Sequence, residues 1–306
     1  MRFNKLDLNL LVALDAMLTE RNISRAAERL HLSQSAMSNA LGRLRDYFGD
    51  ELLVPVGRRM ALTPRAEALQ ESVRELLVRV ETTIAVQPEF EPDTSDRVFR
   101  LFVSDYTVFV LMPHVLALAA AQAPGLRFDL LPQMDQPHRA LERGEIDLLI
   151  IPEGFCSPEH PSEVIFEDRF DCVVWQGSAL AREPLTLETY LDAGHVVVRT
   201  GRTQQSYEEE FLKSQGIARR IEVTTTSFAA PPHLVVGTER IATVHHLLAG
   251  SAARHLPLAC VPPPIEIPPL QQAVQWHKYR SDDPGLRWVR NLLAEAAARM
   301  RRHAGA

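Results

Sequence analysis

Short polar side chains are concentrated between residues 33 and 43, where their types suit the recognition of DNA base edges. Glutamine and asparagine pair with adenine, arginine pairs with guanine, and serine contacts a base or a phosphate. The same stripe would also suit a plain solvated helix, so the surrounding elements must decide between the two interpretations. The side chains concerned are Ser33, Gln34, Ser35, Ser38, Asn39 and Arg43.

Helical periodicity places these side chains on one face of a helix over 34–48, with an apolar face opposite. Ser33 is a suitable N-cap for that helix. A short helix over 25–30 precedes it, with Ser24 as its predicted N-cap and a further DNA contact, after an amphipathic helix over 8–20. Two short helices joined by a tight turn are typical of a helix-turn-helix, in which the second helix enters the major groove.

A hairpin is predicted to follow this motif. Strand-like runs over 52–54 and 60–62 flank a turn that carries Arg58 and Arg59. Beside a recognition helix, two guanidinium groups at a hairpin tip are well placed to bind phosphate or to enter the minor groove. The hairpin is therefore interpreted as a wing, and residues 1–63 as a winged helix-turn-helix DNA-binding domain.

The next predicted element is a long helix that begins with Thr63 as a cap and Pro64 at its first position. Thr63 is also an expected DNA contact. Apolar residues then recur three or four positions apart, which predicts a seam that pairs with a second copy of the chain. An acidic stretch with two prolines ends the segment, so residues 64–96 are predicted to form a dimerising linker helix and hinge. The seam consists of Leu69, Val73, Leu76, Val80 and Ile84.

Residues 97–306 alternate strand-like runs with helical ones, a pattern typical of an α/β domain. We expect two small sheets. The predicted strands cover 98–103, 126–131, 146–151, 171–175, 195–199, 221–225, 241–244 and 273–277, and the predicted helices cover 106–121, 137–143, 206–215 and 286–301.

Composition and charge restrict the class of protein. A chain of 306 residues with 46% hydrophobic and 24% charged residues can fold into more than one domain and is not expected to be disordered. Up to Arg65 there are ten basic and seven acidic residues, a net charge of +3, which leaves −9 for the rest of a chain whose total is −6. A weakly basic N-terminal region, here called the head, followed by an acidic remainder suits a protein that contacts DNA through this region alone.

The cysteines indicate whether a metal site or disulfides are expected, and the apolar runs indicate where in the cell the protein acts. Cys156, Cys172 and Cys260 are odd in number and far apart, which opposes a disulfide framework or a structural zinc site. No apolar run has the length of a membrane span or the unbroken core of an export signal. We therefore expect a cytoplasmic protein with no membrane contact, no metal and no cofactor.

Four motifs within the first 67 residues resemble the DNA-binding half of LysR-type transcriptional regulators. The opening is most similar to the branch that contains the nodulation regulators and the salicylate and nitroaromatic regulators. Beyond this region the resemblance rests on element order and on stretches such as 144–148 and 238–244. The motifs are Leu6 to Leu11, Arg25 to Leu30, Leu32 to Asn39 and Leu62 to Ala66.

This resemblance implies a sensor similar to periplasmic binding proteins, with a small-molecule effector held between two subdomains. Subdomain one would comprise 97–166 and 271–306, and subdomain two 167–270. The resemblance further implies a homotetramer built from two dimers. We expect a transcriptional activator with RNA polymerase as a possible further partner, while the sequence leaves the balance between activation and repression open. Two residues depart from the family pattern, because Ser35 stands where proline is common and Pro55 stands where many members carry a wing arginine.

Two strand ends are the expected effector site. Ligands of open α/β sheets bind at the carboxyl ends of strands and at helix N-termini, here after residues 103 and 199. By resemblance these segments face each other, and their hydroxyls, arginine and aromatic rings would suit an aromatic carboxylate or a phenol, although caps and turns would explain each residue equally well. An acid in the cleft would disfavour an anion unless an arginine neutralises it. The predicted contacts are Ser104, Asp105, Tyr106, Asp168, Thr200, Arg202, Thr203, Phe228, Pro231 and His245.

An α/β enzyme and a solute-binding protein are the alternative functions. The sequence has no dinucleotide fingerprint, phosphate-binding loop, nucleophile elbow or metal-binding histidine pair at helical spacing, so no catalytic residue is predicted. His245 and His246 are adjacent and would point in different directions, which opposes a shared metal or base role. The helix-turn-helix and the lack of an export signal oppose a solute-binding protein.

Overall fold

Chain contacts divide the protein into two units, Met1–Val86 and Gln87–Ala306, which are described separately. The structure is a computed structural model. It describes residues 6–57, 59–84, 89–133, 136–199 and 206–304, with the backbone alone at 59, 81, 82, 303 and 304.

The described part of the first unit contains four helices and one hairpin. Leu14 of the first helix and Met37 and Leu44 of the third are fully buried, so one apolar core joins these helices. The hairpin is antiparallel and pairs Leu53 with Leu62. The elements are α1 (Leu8–Glu20), α2 (Ile23–Arg29), α3 (Gln34–Phe48), β1 (Leu53–Val56), β2 (Arg59–Leu62) and α4 (Pro64–Ile84).

The start of α2 corrects the predicted cap. Asn22 has an extended backbone, and its Oδ1 accepts a hydrogen bond from the Arg25 amide at 3.0 Å. Because Asn22 already satisfies this amide, the helix begins at Ile23 and Ser24 lies exposed within its first turn rather than at the N-cap. The predicted cap of α3 is confirmed, since Ser33 Oγ accepts from the Ala36 amide at 3.1 Å.

The apolar stripe of α4 is divided between two environments. Val73 and Leu77 are buried in the core that contains α1, and Leu69 packs against that core. Two residues of the predicted seam are exposed instead, Leu76 by 44% and Ile84 by 76%. The prediction of one continuous seam was therefore wrong for Leu69 and Val73, because they pack in the core of the same chain.

The second unit contains two five-stranded sheets, and the first has the strand order β4-β3-β5-β12-β6. Strand β3 is parallel to β4 and β5, whereas β12 is antiparallel to β5 and β6. The elements of this subdomain are β3 (Val98–Val103), α5 (Asp105–Val110), α6 (Met112–Gln122), β4 (Arg127–Pro132), α7 (Pro137–Glu142), β5 (Leu148–Pro152), β6 (Ser162–Asp168), β12 (Leu270–Gln275) and α12 (Pro284–Ala304).

The second sheet has the order β11-β7-β10-β8-β9. The chain enters it between Asp168 and Phe170 and leaves it at Leu270, and Leu270 pairs with Asp168, so the two crossings are adjacent. Its elements are β7 (Phe170–Trp175), α8 (Leu187–Asp192), β8 (Gly194–Val198), α9 (Tyr207–Ser214), β9 (Arg220–Thr225), α10 (Pro231–Leu234), β10 (Arg240–His245), α11 (His246–Ala253) and β11 (Leu258–Val261).

Two features of this unit differ from the expectation. The helix predicted over 106–121 is two helices, α5 and α6, that meet at Leu111, because Pro113 lacks an amide proton and cannot continue a helix. Five elements had not been predicted, namely β6, α8, α10, α11 and β11. Among the described residues, none of the helices combines the length and the apolar character that crossing a membrane requires.

Candidate nucleic-acid interface and ligand cavity

The outer face of α3 is free of contacts with the core. Gln34, Ser38, Asn39 and Arg43 are all exposed, while Met37 on the inner face is fully buried. Ser33 and Ser35 are also exposed, and their hydroxyls lie 3.0 Å apart at the start of the helix. The helix therefore presents amides and hydroxyls to solvent, the side-chain types that recognise base edges.

Two side-chain contacts hold α3 against the hairpin. Arg45 donates to the backbone oxygens of Glu51 and Leu53, each at 2.9 Å. Thr63 donates its hydroxyl to Asp50 at 2.6 Å, and this hydrogen bond keeps the pKa of Asp50 below its ordinary value. The same hydroxyl oxygen accepts from the Ala66 amide at 3.1 Å. Thr63 is half-buried and already bonded, so the structure shows it as a cap of α4 that supports the hairpin. Its predicted DNA contact has not been tested.

The side chains of the two wing arginines lie outside the described part of the hairpin. Arg58 lies outside the described residues, and so does the side chain of Arg59. Gly57, at the described end of β1, has a φ of +62°, a left-handed conformation that a tight turn requires and that glycine adopts without strain. The hairpin backbone is thus consistent with a turn at this point, and the role of its arginines stays a prediction.

A cavity lies between the two subdomains of the second unit. Its volume is about 620 Å³, including the part that is open to solvent. In one subdomain it is lined at the ends of β3, β4 and β5 and the starts of α7 and β12. In the other it is lined at the start of α9, the loop between β9 and α10, and the end of β10. Its described lining consists of Ser104, Tyr106, Gln133, Pro137, His138, Ile151, Pro152, Phe155, Ser206, Tyr207, Phe228, His245, Leu270 and Gln272.

Four of the ten predicted effector contacts line this cavity: Ser104, Tyr106, Phe228 and His245. Three others lie nearby but are not part of its described lining, namely Asp105, Asp168 and Pro231. The remaining three lie outside the described residues: Thr200, Arg202 and Thr203.

Asp105 joins the two subdomains. Its carboxylate accepts hydrogen bonds from Ser227 Oγ at 2.6 Å and from the amides of Phe228 and Ala229 at 3.1 Å each. Asp105 begins α5 in subdomain one, and the three donors follow β9 in subdomain two. We call this set of contacts the Asp105 clasp. It explains why Asp105 does not line the cavity, because its acceptor sites face the other subdomain.

Asp168 lies behind the wall of the cavity. Tyr106 donates its hydroxyl to Asp168 at 2.6 Å, and the Tyr106 ring stacks on His245 with centroids 3.9 Å apart. Burial raises the pKa of Asp168 to about 6, although the Tyr106 hydrogen bond opposes that rise. Burial also raises the pKa of Tyr106 well above its ordinary value and lowers the pKa of His245 to about 3. At neutral pH Tyr106 and His245 are therefore an uncharged ring pair within the wall.

A chain of three polar side chains forms another part of the wall, and we call it the polar relay. Gln272 Nε2 donates to Thr107 Oγ1 at 3.2 Å, and Thr107 Oγ1 lies 3.2 Å from Ser104 Oγ. Thr107 is fully buried, whereas Ser104 and Gln272 line the cavity. Gln272 is 2% exposed, and its Oε1 has no hydrogen-bond partner among the described residues.

Sequence reasoning missed ten of the lining residues. Several of them lie at or just beyond the ends of strands of the first sheet, such as Gln133 after β4 and Pro152 at the end of β5. The rule about strand ends applied to these positions as well as to those chosen, so a signal was present. Gln272 gave no such signal, because it belongs to a strand that returns to the first sheet after the whole second subdomain.

Two family models cover most of the chain. Residues 8–67 match the bacterial regulatory helix-turn-helix proteins of the LysR family, and residues 92–298 match the LysR substrate binding domain. The chain belongs to the LysR family. It therefore combines a DNA-binding head with an effector-binding domain, and this family consists of transcriptional regulators rather than enzymes.

Known members of the LysR family are similar over nearly the whole length. Nodulation protein D 3 of Rhizobium leguminosarum bv. phaseoli is 45% identical over 301 residues, which are 98% of this chain and 100% of that protein. A probable transcriptional regulator from Pseudomonas aeruginosa has a solved structure with a TM-score of 0.66 and 30% identity, covering 96% of this chain and 98% of its own. Full-length CbnR, solved as a complex with its target DNA, shares the fold with a TM-score of 0.58 and 17% identity, over 96% of this chain and 100% of its own.

Proposed function

We propose that this regulator binds operator DNA through α3 and the wing and responds to an aromatic or phenolic effector in the cavity between its two subdomains. The observation that supports this proposal is the cavity wall. Its described lining combines four aromatic rings and two histidines, His138 and His245, with serine and glutamine side chains, and it contains no lysine or arginine. Such a wall favours a flat, uncharged ligand.

The ring geometry supports a flat ligand. Tyr106 and His245 stack at an interplanar angle of 17°, and Tyr207 stacks on Phe170 at 5° with centroids 6.1 Å apart. Phe155 meets Tyr207 edge to face at 71°. Ring pairs in these arrangements present flat apolar surfaces, against which another aromatic ring packs favourably.

The charge distribution favours a phenol over a carboxylate. Arg199, which directly follows β8, forms an ion pair with Glu209 at 2.6 Å. Arg169 lies 3.3 Å from the His246 ring and 4.0 Å from Asp171. An anionic ligand would thus enter a cavity bordered by the carboxylates of Asp105 and Asp168 without a described arginine in contact.

The full assembly follows the family. We propose residues 1–63 as the DNA-binding domain, 64–96 as linker helix and hinge, and 97–306 as effector-binding domain. In that scheme subdomain one is 97–166 with 271–306, and subdomain two is 167–270. The protein would act in the cytoplasm as a homotetramer that activates transcription with RNA polymerase. The exposed part of α4 supports the dimer, and the CbnR complex with DNA supports the partner of the head.

Two measurements test this function. An electrophoretic mobility shift with upstream DNA of the adjacent genes should show binding that survives excess random competitor. A thermal-shift screen should find that neutral phenolic compounds raise the Tm of the purified protein, because a ligand that binds only the folded state stabilises it. Stabilisation by aromatic carboxylates alone, or by none of these compounds, would contradict the proposed effector class.

A further inference from the structure

The two ends of the polar relay face the cavity, while its middle member does not. Thr107 is fully buried and does not line the cavity, whereas Ser104 and Gln272 do. Ser104 Oγ and Gln272 Nε2 each lie 3.2 Å from Thr107 Oγ1, so these two atoms are at most twice that distance apart, and Gln272 Oε1 belongs to the same amide group as Nε2. One substituent of a ligand, or two adjacent ones, can therefore contact both ends.

One arrangement of donors and acceptors satisfies every contact of the relay. Gln272 Nε2 donates to Thr107 Oγ1, and in the Ser104–Thr107 pair, where either hydroxyl can donate, we assign the donated proton to Thr107. Ser104 Oγ also accepts from the Thr107 amide at 3.3 Å, so its own proton is available to the cavity. At the opposite end, Gln272 Oε1 is a buried acceptor that lacks a partner among the described residues.

A buried acceptor without a partner is unusual in a folded protein, because it has lost its hydrogen bonds to water without replacement. Its position in a cavity wall points to a ligand that supplies the missing proton. A hydroxyl group fits both ends, because it donates to Gln272 Oε1 and accepts from Ser104 Oγ. A methyl ether at the same place can accept but cannot donate.

We propose that Gln272 and Ser104 select effectors that carry a hydroxyl group, and that Thr107 is a positioning residue that fixes the direction of their hydrogen bonds. This inference rests on the proposed function of the cavity as the effector site. A site built to bind a hydroxyl rejects the analogue without it more strongly than an apolar pocket rejects an added group, because the protein's own polar atoms are left unpaired.

The test uses the full-length protein and three probes that share one apolar scaffold: 4-hydroxybiphenyl, 4-methoxybiphenyl and biphenyl. Dissociation constants are measured by isothermal titration calorimetry. The wild-type protein should bind the phenol about tenfold or more tightly than the methyl ether. In T107V and Q272M this ratio should fall below about threefold, with the affinity for unsubstituted biphenyl kept.

A matched control is available in the other subdomain. Thr243 is also a buried threonine, and its hydroxyl lies 2.9 Å from the Tyr190 hydroxyl, away from the cavity lining. T243V removes an equally buried hydroxyl and should keep the wild-type ratio. If T107V proves too unstable to titrate, the ratio of phenol to ether affinity is compared between the wild type and the variants Q272M and S104A, because both replaced side chains lie in the cavity wall.

The possible outcomes separate this inference from the proposed function. Equal affinities for phenol and ether in the wild-type protein, or an unchanged ratio in Q272M and T107V, would overturn the role of the relay and leave the aromatic effector site standing. A failure of all three probes to bind would count against both proposals. A loss of the ratio in T243V as well would overturn the specific role of Thr107.

Discussion

Three buried titratable side chains make the stability of the sensor depend on pH in opposite directions. Burial lowers the pKa of His195 to about 4 and that of His245 to about 3, so both are neutral when folded. A buried neutral histidine stabilises the fold less as the pH falls below 6.5, because the unfolded chain then gains the proton first. Asp168, whose pKa is raised to about 6, acts in the opposite sense and costs stability as the pH rises from 3.8 to 6.

The pH dependence of His195 can be isolated by substitution. His195 is fully buried, and its Nε2 lies 2.7 Å from the Tyr190 carbonyl oxygen, a contact that glutamine can also make. Between pH 7.5 and pH 5, H195Q should lose about 2 kcal/mol less unfolding free energy than the wild-type protein. Urea titrations at both pH values measure the difference, and H255Q, which changes an exposed histidine, is the control. Identical pH dependence in H195Q and wild type would contradict a neutral buried His195.

Asn39 is the residue on which specific DNA recognition is expected to depend. It is exposed on α3, where an amide can contact an adenine edge. N39A should weaken operator binding by about 1 to 3 kcal/mol and leave random DNA almost unaffected. R58A should instead weaken all DNA and flatten the salt dependence, because a wing arginine would contact phosphate. Equal losses on operator and random DNA for N39A would argue against base recognition.

Helix α4 shows how one apolar stripe can serve two partners. Val73 and Leu77 are buried in the core that contains α1, and Arg74 forms an ion pair with Asp15 of α1 at 2.8 Å. Leu76 and Ile84 are instead 44% and 76% exposed. Exposed apolar residues of this kind are a liability unless another surface covers them, so Leu76 and Ile84 mark the part of α4 that we expect to pair with a second copy.

The dimer prediction follows from that division. L76E should place a charge in the paired surface and give monomers in sedimentation velocity, with about tenfold or greater loss of operator affinity, because two half-sites are no longer bound together. E71K changes the charge of an exposed residue on the opposite face of α4 and should remain dimeric. An L76E protein that still sediments as a dimer would show that α4 is not the seam.

Hydrogen bonds join the two subdomains of the sensor across its cleft. The Asp105 clasp supplies three hydrogen bonds from one carboxylate to the other subdomain. A ligand shifts such an equilibrium only by its different affinity for the two arrangements. We therefore expect the clasp to affect the size of the effector response. It would do so by stabilising the joined arrangement of the subdomains rather than by contact with the ligand.

Removal of the clasp should change the response while leaving the head intact. D105A should alter the DNase footprint in the absence of effector and reduce the change that an effector causes, whereas S227A, which removes one of the three bonds, should have a smaller effect. Affinity for an isolated half-site should change less than about threefold, because α3 is untouched. Footprints of D105A that match the wild type with and without effector would mean that the switch does not use this contact.

The head was predictable from local patterns, because caps, helical periodicity and turn residues act over a few positions along the chain. α1, α3 and the start of α4 were correctly predicted for this reason. The cavity was not predictable to the same extent. Gln272 meets Thr107 across 165 positions, and Asp105 meets Phe228 across 123. Such pairs leave no periodicity in the sequence, since the folding of two interleaved sheets brings them together. The same physics divided the α4 stripe, because only packing against α1 determines which leucines are covered.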